Sequence, residues 1–87
     1  MRASHILVDT VEQANELKQQ IAEGASFASI AQANSKCPSK ANGGDLGEFG
    51  PGMMVKPFED GVLALEVGGV SDPVQTQFGY HLIHRTG

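Results

Sequence analysis

The chain has 87 residues, 40% of them apolar, and a formal net charge of −4. This length predicts a single domain, 1–87, with one modest core that needs no disulfide or metal to be stable. The acidic balance argues against nucleic acid as a partner, because binding a phosphate backbone requires a basic surface. No apolar run approaches the ~18 residues of a membrane span, and no basic flank followed by an apolar segment indicates a signal peptide.

Cys37 is the only cysteine, which excludes an internal disulfide and a multi-cysteine zinc site. A single thiol also fits a reducing compartment. We expect a cytoplasmic protein without a metal or cofactor, and we expect it to be a monomer.

The first predicted elements are a strand and a helix. Ala3–Val8 predicts a strand covered on both faces, because its last three residues are all apolar. Thr10 is a good N-cap for the helix, Gln13 completes a capping-box pattern, and Gly24 is a good C′ residue. The apolar stripe of this helix consists of Val11, Ala14, Leu17 and Ile21.

The middle of the chain predicts two more helices and a short strand. Ser26 can cap the second helix, and Lys36–Asn42 is predicted to be a polar loop. Leu46–Phe49 favours a short strand, and Pro57–Leu65 favours a third helix that Gly61 weakens. The inward positions of the second helix are Phe27, Ile30 and Ala31.

The last predicted elements are two strands, Val74–Gln77 and Tyr80–Arg85, joined by a turn at Phe78 and Gly79. A strand followed by helices and then by strands is typical of an α+β fold with an antiparallel sheet. We therefore predict that architecture.

The stretch from Gly43 to Asp60, GGDLGEFGPGMMVKPFED, combines glycines with soft apolar side chains. Its glycines allow tight turns and positive φ angles, and Pro57 suits the first turn of a helix. Its Met and Phe side chains are too apolar for an ordinary solvated loop, so they either complete the core or line a groove. Composition alone does not decide between these roles.

This stretch resembles the central signature of the parvulin-type peptidyl-prolyl isomerases. SHILV, from Ser4 to Val8, is similar to the family's first strand, and QFGYHLIH, from Gln77 to His84, is similar to its last. The three matches follow the family's order and span nearly the whole chain. The resemblance implies a four-stranded antiparallel sheet wrapped by helices, an FKBP-like superfold. It also implies cis/trans isomerisation of X–Pro bonds in polypeptides, which assists protein folding and uses no cofactor.

The resemblance assigns catalytic positions to His5, Cys37, Thr76 and His81. The histidines match a pair beneath the parvulin catalytic groove, and Thr76 matches a hydroxyl that bonds to them. Cys37 matches a position that other parvulins fill with Asp, which favours a polar role over covalent attack. From the residues alone, the alternatives are two satisfied core histidines, an ordinary strand threonine and an inert buried thiol.

The resemblance also implies a proline pocket formed by Leu46, Met54 and Phe58. Phe49 matches an aromatic residue beside that pocket, and Phe78 falls where relatives vary. The alternative for these apolar side chains is core packing, which is the usual role of an apolar stripe.

One branch of the parvulins acts on phosphoserine- or phosphothreonine-proline through a basic cluster between the first strand and the first helix. Here that connection is only Asp9 and Thr10, without Lys or Arg. We therefore expect no preference for phosphorylated substrates, because a phosphate needs cationic partners. Lys36 and Lys40, which flank Cys37, are the only plausible substitutes.

Three functions remain open at this point. The first is a peptidyl-prolyl isomerase, and the second is a proline-binding module or holdase that uses the same groove without turnover. The third is a cysteine hydrolase that pairs Cys37 with a histidine. The hydrolase is disfavoured because no helix is predicted to begin at Cys37 and no nucleophile signature surrounds it.

Overall fold

Three α-helices pack against a four-stranded antiparallel sheet in the computed structural model, which describes all 87 residues. The elements in chain order are β1 (Arg2–Val8), α1 (Val11–Ala22), α2 (Phe27–Asn34), a 3-10 helix (Pro38–Asn42), β2 (Asp45–Glu48), α3 (Lys56–Leu63), β3 (Val74–Thr76) and β4 (Gly79–Arg85). The strand order is β2-β1-β4-β3, so the two long strands lie at the centre. This confirms the predicted α+β architecture. None of the helices combines the length and apolar character needed to cross a membrane.

Side-chain caps begin the first two helices at the predicted residues. Thr10 Oγ1 accepts a hydrogen bond from the Gln13 backbone N–H at 3.2 Å, and Ser26 Oγ accepts one from the Ser29 N–H at 3.4 Å. Gly24 follows α1 with a φ of +108°, a left-handed conformation that glycine adopts at little cost. Local chemistry therefore sets the bounds of α1 and the start of α2.

The segment predicted to be a polar loop, Lys36–Asn42, is largely helical. Its 3-10 helix begins at Pro38, whose fixed φ suits a first turn, and it ends at Asn42, after which Gly43 adopts a φ of +69°. Helix α3 begins one residue before the predicted start and ends at Leu63, two residues early. All four strands agree with their predicted bounds to within one residue.

Gly61 lowers the helix propensity of α3 but lets this helix approach the sheet closely. A Cβ atom at this position would lie 3.0 Å from Ile83 Cδ1 and 3.1 Å from Val74 Cγ2. The sequence predicted the cost in propensity. The structure adds the reason for it, which is the short distance between α3 and strands β3 and β4.

The sheet separates two groups of buried apolar residues. Helices α1 and α2 cover one face, where β1 contributes Ile6 and Val8 and β4 contributes Leu82. Helix α3 covers the other face, where β1 contributes Ala3 and β4 contributes Ile83. Successive residues of a strand point to opposite faces, so β1 supplies both groups. This is the doubly covered strand that its apolar run predicted.

Strand β1 extends beyond its partner β2, and a loop completes its hydrogen bonding. β2 pairs with only the first half of β1. In the second half, the Leu7 N–H donates to Ser35 Oγ at 3.0 Å, and Leu7 O accepts from the Lys36 N–H at 2.8 Å. These bonds hold the segment that contains Cys37 against β1.

Gly44, just after the 3-10 helix, packs directly against the backbone of β1 and has no room for a side chain. Its φ is +84°, and a Cβ atom there would lie 2.3 Å from His5 O. Gly44→Ala should therefore lower the free energy of unfolding by more than about 2 kcal/mol, through left-handed strain and steric displacement together. Urea denaturation measures this loss.

Gly47→Ala is the matched control for this prediction. Gly47 also has a left-handed φ, +72°, but no atom within 4 Å of an added Cβ. It should lose only about 1 kcal/mol, the cost of the left-handed conformation alone. Equal losses in the two variants would show that the contact with His5 does not matter.

Candidate active site

Two histidines from the central strands meet on the face of the sheet that α3 covers. His5 lies on β1 and His81 on β4, which pair directly, and each residue is 5% exposed. Their Nδ1 atoms lie 2.9 Å apart, and their rings stack with centroids 5.1 Å apart. Residues from the two ends of the chain thus form one buried, hydrogen-bonded pair.

Thr76 extends this pair toward the turn between β3 and β4. Its Oγ1 lies 2.8 Å from His81 Nε2 and accepts a hydrogen bond from the Phe78 N–H at 3.2 Å. At the other end of the pair, His5 Nε2 is buried and has no hydrogen-bond partner within the protein. The network therefore runs from the turn through both rings and ends at one unpaired polar atom.

Burial keeps both imidazole rings neutral at pH 7. Desolvation, with a smaller contribution from the charge of His81, lowers the pKa of His5 from 6.5 to about 4. Desolvation also lowers the pKa of His81. For the bond between the two Nδ1 atoms to form, one of them carries a proton and the other accepts it.

Phe58 forms the boundary between the histidine pair and the core. Its buried ring lies edge-on to both imidazoles, with centroid distances of 5.5 Å to His5 and 5.3 Å to His81. The buried ring of Phe49 packs behind it at 6.4 Å. Phe58 is therefore both a core residue and a wall of the site, so the two roles that the sequence left open are combined in one side chain.

A mainly apolar cavity of about 460 Å³ lies beside the histidine pair. Its lining brings together most of the predicted site residues: His5, Cys37, Leu46, Met54, Phe58, Phe78 and His81. Thr76 and Phe49 lie outside this lining. Thr76 bonds the lining residues His81 and Phe78, and the ring of Phe49 packs against the lining residue Phe58. The structure thus places these two behind the residues that a ligand would touch.

Ser35 positions the cysteine segment, and sequence reasoning missed it. Its buried Oγ accepts hydrogen bonds from the backbone N–H groups of Leu7 at 3.0 Å and Cys37 at 3.3 Å. In the sequence, Ser35 marks only the end of a helix. No local motif distinguishes a serine that bonds across to a strand, so only the spatial proximity of β1 could reveal this role.

Cys37 is half-buried and directly precedes the 3-10 helix, so the prediction that no helix begins there is wrong. Its thiol nevertheless makes no hydrogen bond to a histidine. The Nδ1 atoms bond each other, His81 Nε2 bonds Thr76, and His5 Nε2 has no partner. A hydrolase needs a base within hydrogen-bond reach of its nucleophile, and the site lacks this pairing. Nor do any three His, Cys, Asp or Glu side chains cluster closely enough to hold a metal ion.

A four-stranded sheet with a histidine pair beside an apolar cavity is the arrangement that the sequence resemblance implied for an isomerase domain. A family model described as "Rotamase: PPIC-type PPIASE domain" matches residues 5–87. The chain belongs to this family, the parvulin-type peptidyl-prolyl cis-trans isomerases, as its motifs predicted.

Relatives and solved structures agree with this assignment. The chain is 54% identical over 87 residues to the foldase protein PrsA of Geobacillus sp. (strain WCH70), covering 99% of this chain and 32% of that protein. It is 49% identical over 80 residues to the peptidyl-prolyl cis-trans isomerase Pin1 of Digitalis lanata, covering 91% of this chain and 68% of that protein. The crystal structure of a peptidylprolyl isomerase (PrsA) from Bacillus anthracis matches with a TM-score of 0.99 at 45% identity, covering 100% of this chain and 41% of that chain. The chain thus spans about a third of the length of the Geobacillus foldase.

Acid should destabilise the protein through the histidine pair. The pKa of His5 is about 4 in the folded protein, against 6.5 for an unperturbed histidine, which represents the unfolded chain. Between these pH values, unfolding is therefore accompanied by uptake of a proton. The contribution of His5 to stability is complete above pH 6.5 and is lost as the pH falls toward 4. Lowering the pH from 7.5 to 5.5 should therefore reduce the free energy of unfolding by about 1 kcal/mol through His5, with a further loss through His81.

Urea denaturation at several pH values measures this loss, and an NMR titration of the ring signals measures the pKa directly. The His5 midpoint should lie near 4. A midpoint close to that of a free imidazole, with stability unchanged over this window, would show that water solvates the pair.

Proposed function

We propose that this domain catalyses cis/trans isomerisation of X–Pro bonds in polypeptides by a non-covalent mechanism and thereby assists protein folding. The apolar cavity beside a buried, neutral histidine pair is the observation that carries the proposal. A relative 54% identical to this chain is named a foldase, which supports proline-containing folding clients as the substrates.

The chemical demand of this reaction is modest. The barrier to rotation about an amide is ~18–20 kcal/mol, and X–Pro bonds exchange spontaneously in tens to hundreds of seconds. A turnover of ~10 per second therefore needs roughly a thousandfold acceleration, equivalent to ~4–5 kcal/mol. An apolar pocket with a few placed polar groups can supply this without a covalent intermediate.

The apolar wall of the cavity favours the transition state over the planar amide. A twisted amide has lost its resonance, so it separates less charge than the planar form. Leu46, Met54 and Phe58 would surround the proline ring with apolar atoms. Such surroundings disfavour the more polar planar state and so lower the barrier to rotation.

The histidine network fixes the orientation of two polar rings that line the cavity. When His5 Nε2 carries the proton, its Nδ1 accepts from His81 Nδ1. In turn, His81 Nε2 accepts from the Thr76 hydroxyl, which matches the distances of 2.9 Å and 2.8 Å along the chain of bonds. Thr76 would therefore be a positioning residue, because its bond to His81 Nε2 orients a ring that in turn bonds His5.

Met54 provides the cleanest test of the pocket. Phe58→Ala would also remove core packing, at about 3–5 kcal/mol, whereas Met54 is only half-buried. In a protease-coupled assay of proline isomerisation, the wild-type domain should accelerate exchange. Met54→Ala should lower kcat/KM by about tenfold or more with only a small change in melting temperature.

Val67→Ala is the control, because Val67 is exposed and lies outside the cavity. It should change neither the rate nor the melting temperature. Peptide binding without acceleration by the wild type would support a holdase instead. Unfolding of Met54→Ala with full activity per folded molecule would show that Met54 serves the core.

Cys37 should act through its polarity rather than as a nucleophile. Cys37→Asp should therefore keep substantial isomerase activity, and Cys37→Ser should lose only part of it. The same coupled assay measures both variants, and mass spectrometry of the wild type with substrate tests for a covalent adduct. Two folded but inactive variants, together with a trapped acyl-enzyme, would contradict the non-covalent mechanism.

Location, oligomeric state and the domain assignment 1–87 stay predictions from the sequence. Size-exclusion chromatography with light scattering would test the predicted monomer.

A further inference from the structure

The connection between β2 and α3, residues 49–55, supplies part of the apolar lining of the cavity. Met53, Met54 and Val55 lie on this connection, which we call the 49–55 loop, and all three line the cavity. The loop contains no helix or strand of its own. Side chains on such a segment stay in place only where bonds from the rest of the domain hold the backbone.

A tight turn shapes the middle of the 49–55 loop. The Met53 N–H donates to Gly50 O at 3.3 Å across this turn. Its two central residues are Pro51 and Gly52, and Gly52 has a φ of +83°. Proline followed by a residue with positive φ is the pattern of a type II turn. These features set the shape of the turn, but they do not attach it to the domain.

Glu59, in the first turn of α3, makes that attachment. Its Oε2 accepts a hydrogen bond from the Gly52 N–H at 3.1 Å. No other hydrogen bond joins residues 50–54 to a different part of the chain. The backbone N–H of Glu59 also donates to Val55 O at 3.0 Å, where α3 begins. Glu59 therefore bonds the 49–55 loop twice, through its backbone at the helix start and through its side chain at the turn.

The position of Glu59 in α3 suggests a simpler role for its carboxylate. A negative charge in the first turn of a helix interacts favourably with the helix dipole. This role needs only the charge, whereas the bond to Gly52 needs an acceptor oxygen at the right reach. The next residue, Asp60, shows the difference, because its carboxylate forms an ion pair with Lys56 and does not contact the loop.

We propose that Glu59 is a positioning residue that holds the 49–55 loop so that Met54 stands in the wall of the proline pocket. This inference rests on the isomerase function proposed above. Glu59 does not line the cavity itself, so it acts through the loop. A loop that is ordered before the substrate arrives loses less conformational freedom on binding, which favours catalysis.

Three substitutions of Glu59 separate the bond from the charge. Glu59→Gln keeps an acceptor oxygen at the same reach without the charge, so it should retain most of the wild-type kcat/KM. Glu59→Asp keeps the charge on a shorter side chain, and Glu59→Ala removes both. In the coupled assay, these two should each lower kcat/KM about fivefold, which corresponds to ~1 kcal/mol.

Asp60→Asn is the matched control on the same helix. It removes a neighbouring carboxylate that does not bond the loop, so kcat/KM should stay at the wild-type value. Wild-type activity in Glu59→Asp, together with a loss in Glu59→Gln, would show that only the charge matters. That result would overturn the inference.

A double-mutant cycle tests whether Glu59 acts through Met54. Once Met54 has been truncated to Ala, the position of the loop should matter little, and the two losses should not add. Glu59→Ala in the Met54→Ala background should therefore change kcat/KM by less than about twofold. The full fivefold loss in both backgrounds would contradict action through Met54.

NMR of the methionine methyl groups tests the loop without depending on catalysis. The Met54 signal should keep its wild-type position in Glu59→Gln and move toward that of a free methionine in Glu59→Ala and Glu59→Asp. Met1 packs against the same core from outside the loop, so its signal is the reference. An unchanged Met54 signal in all three variants would overturn the inference. Absence of turnover by the wild type would instead contradict the isomerase function, while the methyl signals would still decide the role of Glu59.

Discussion

The hydrogen bond between His5 and His81 joins the two central strands on the face that bears the cavity. Because both rings are buried, leaving either nitrogen without its partner would cost ~1–3 kcal/mol. The same burial keeps the rings neutral, so one Nδ1 donates and the other accepts in the bond between them. This one hydrogen bond therefore stabilises the pairing of β1 with β4 and also holds two polar rings in the wall of the cavity.

An incomplete strand edge explains why the cysteine lies at this cavity. β1 runs past the end of β2, and buried backbone groups left without partners would be costly. Ser35 and Lys36 satisfy those groups through their bonds to Leu7. The chain then turns through the 3-10 helix to reach β2, so the requirement for backbone hydrogen bonds also places Cys37 beside the pocket.

The cavity is built by residues that the core also needs. Phe58 contacts both histidines on one side and Phe49 on the other, so its truncation would affect packing and binding together. Met53, Val55 and Phe78 also line the cavity, but they are exposed and belong to neither group of buried apolar residues.

The sequence by itself determined the features that depend on neighbours within a few residues: the caps at Thr10 and Ser26, the bounds of the four strands and the motifs that identify the family. Only the tertiary structure decided which apolar residues line the cavity and which, like Phe49, stand behind it. It also decided that Ser35 supports the cysteine segment, through a bond that spans 28 residues of chain. The physical reason is that capping and periodicity are local energies, whereas partners in a buried network are set by the packing of strands and loops that are distant in sequence.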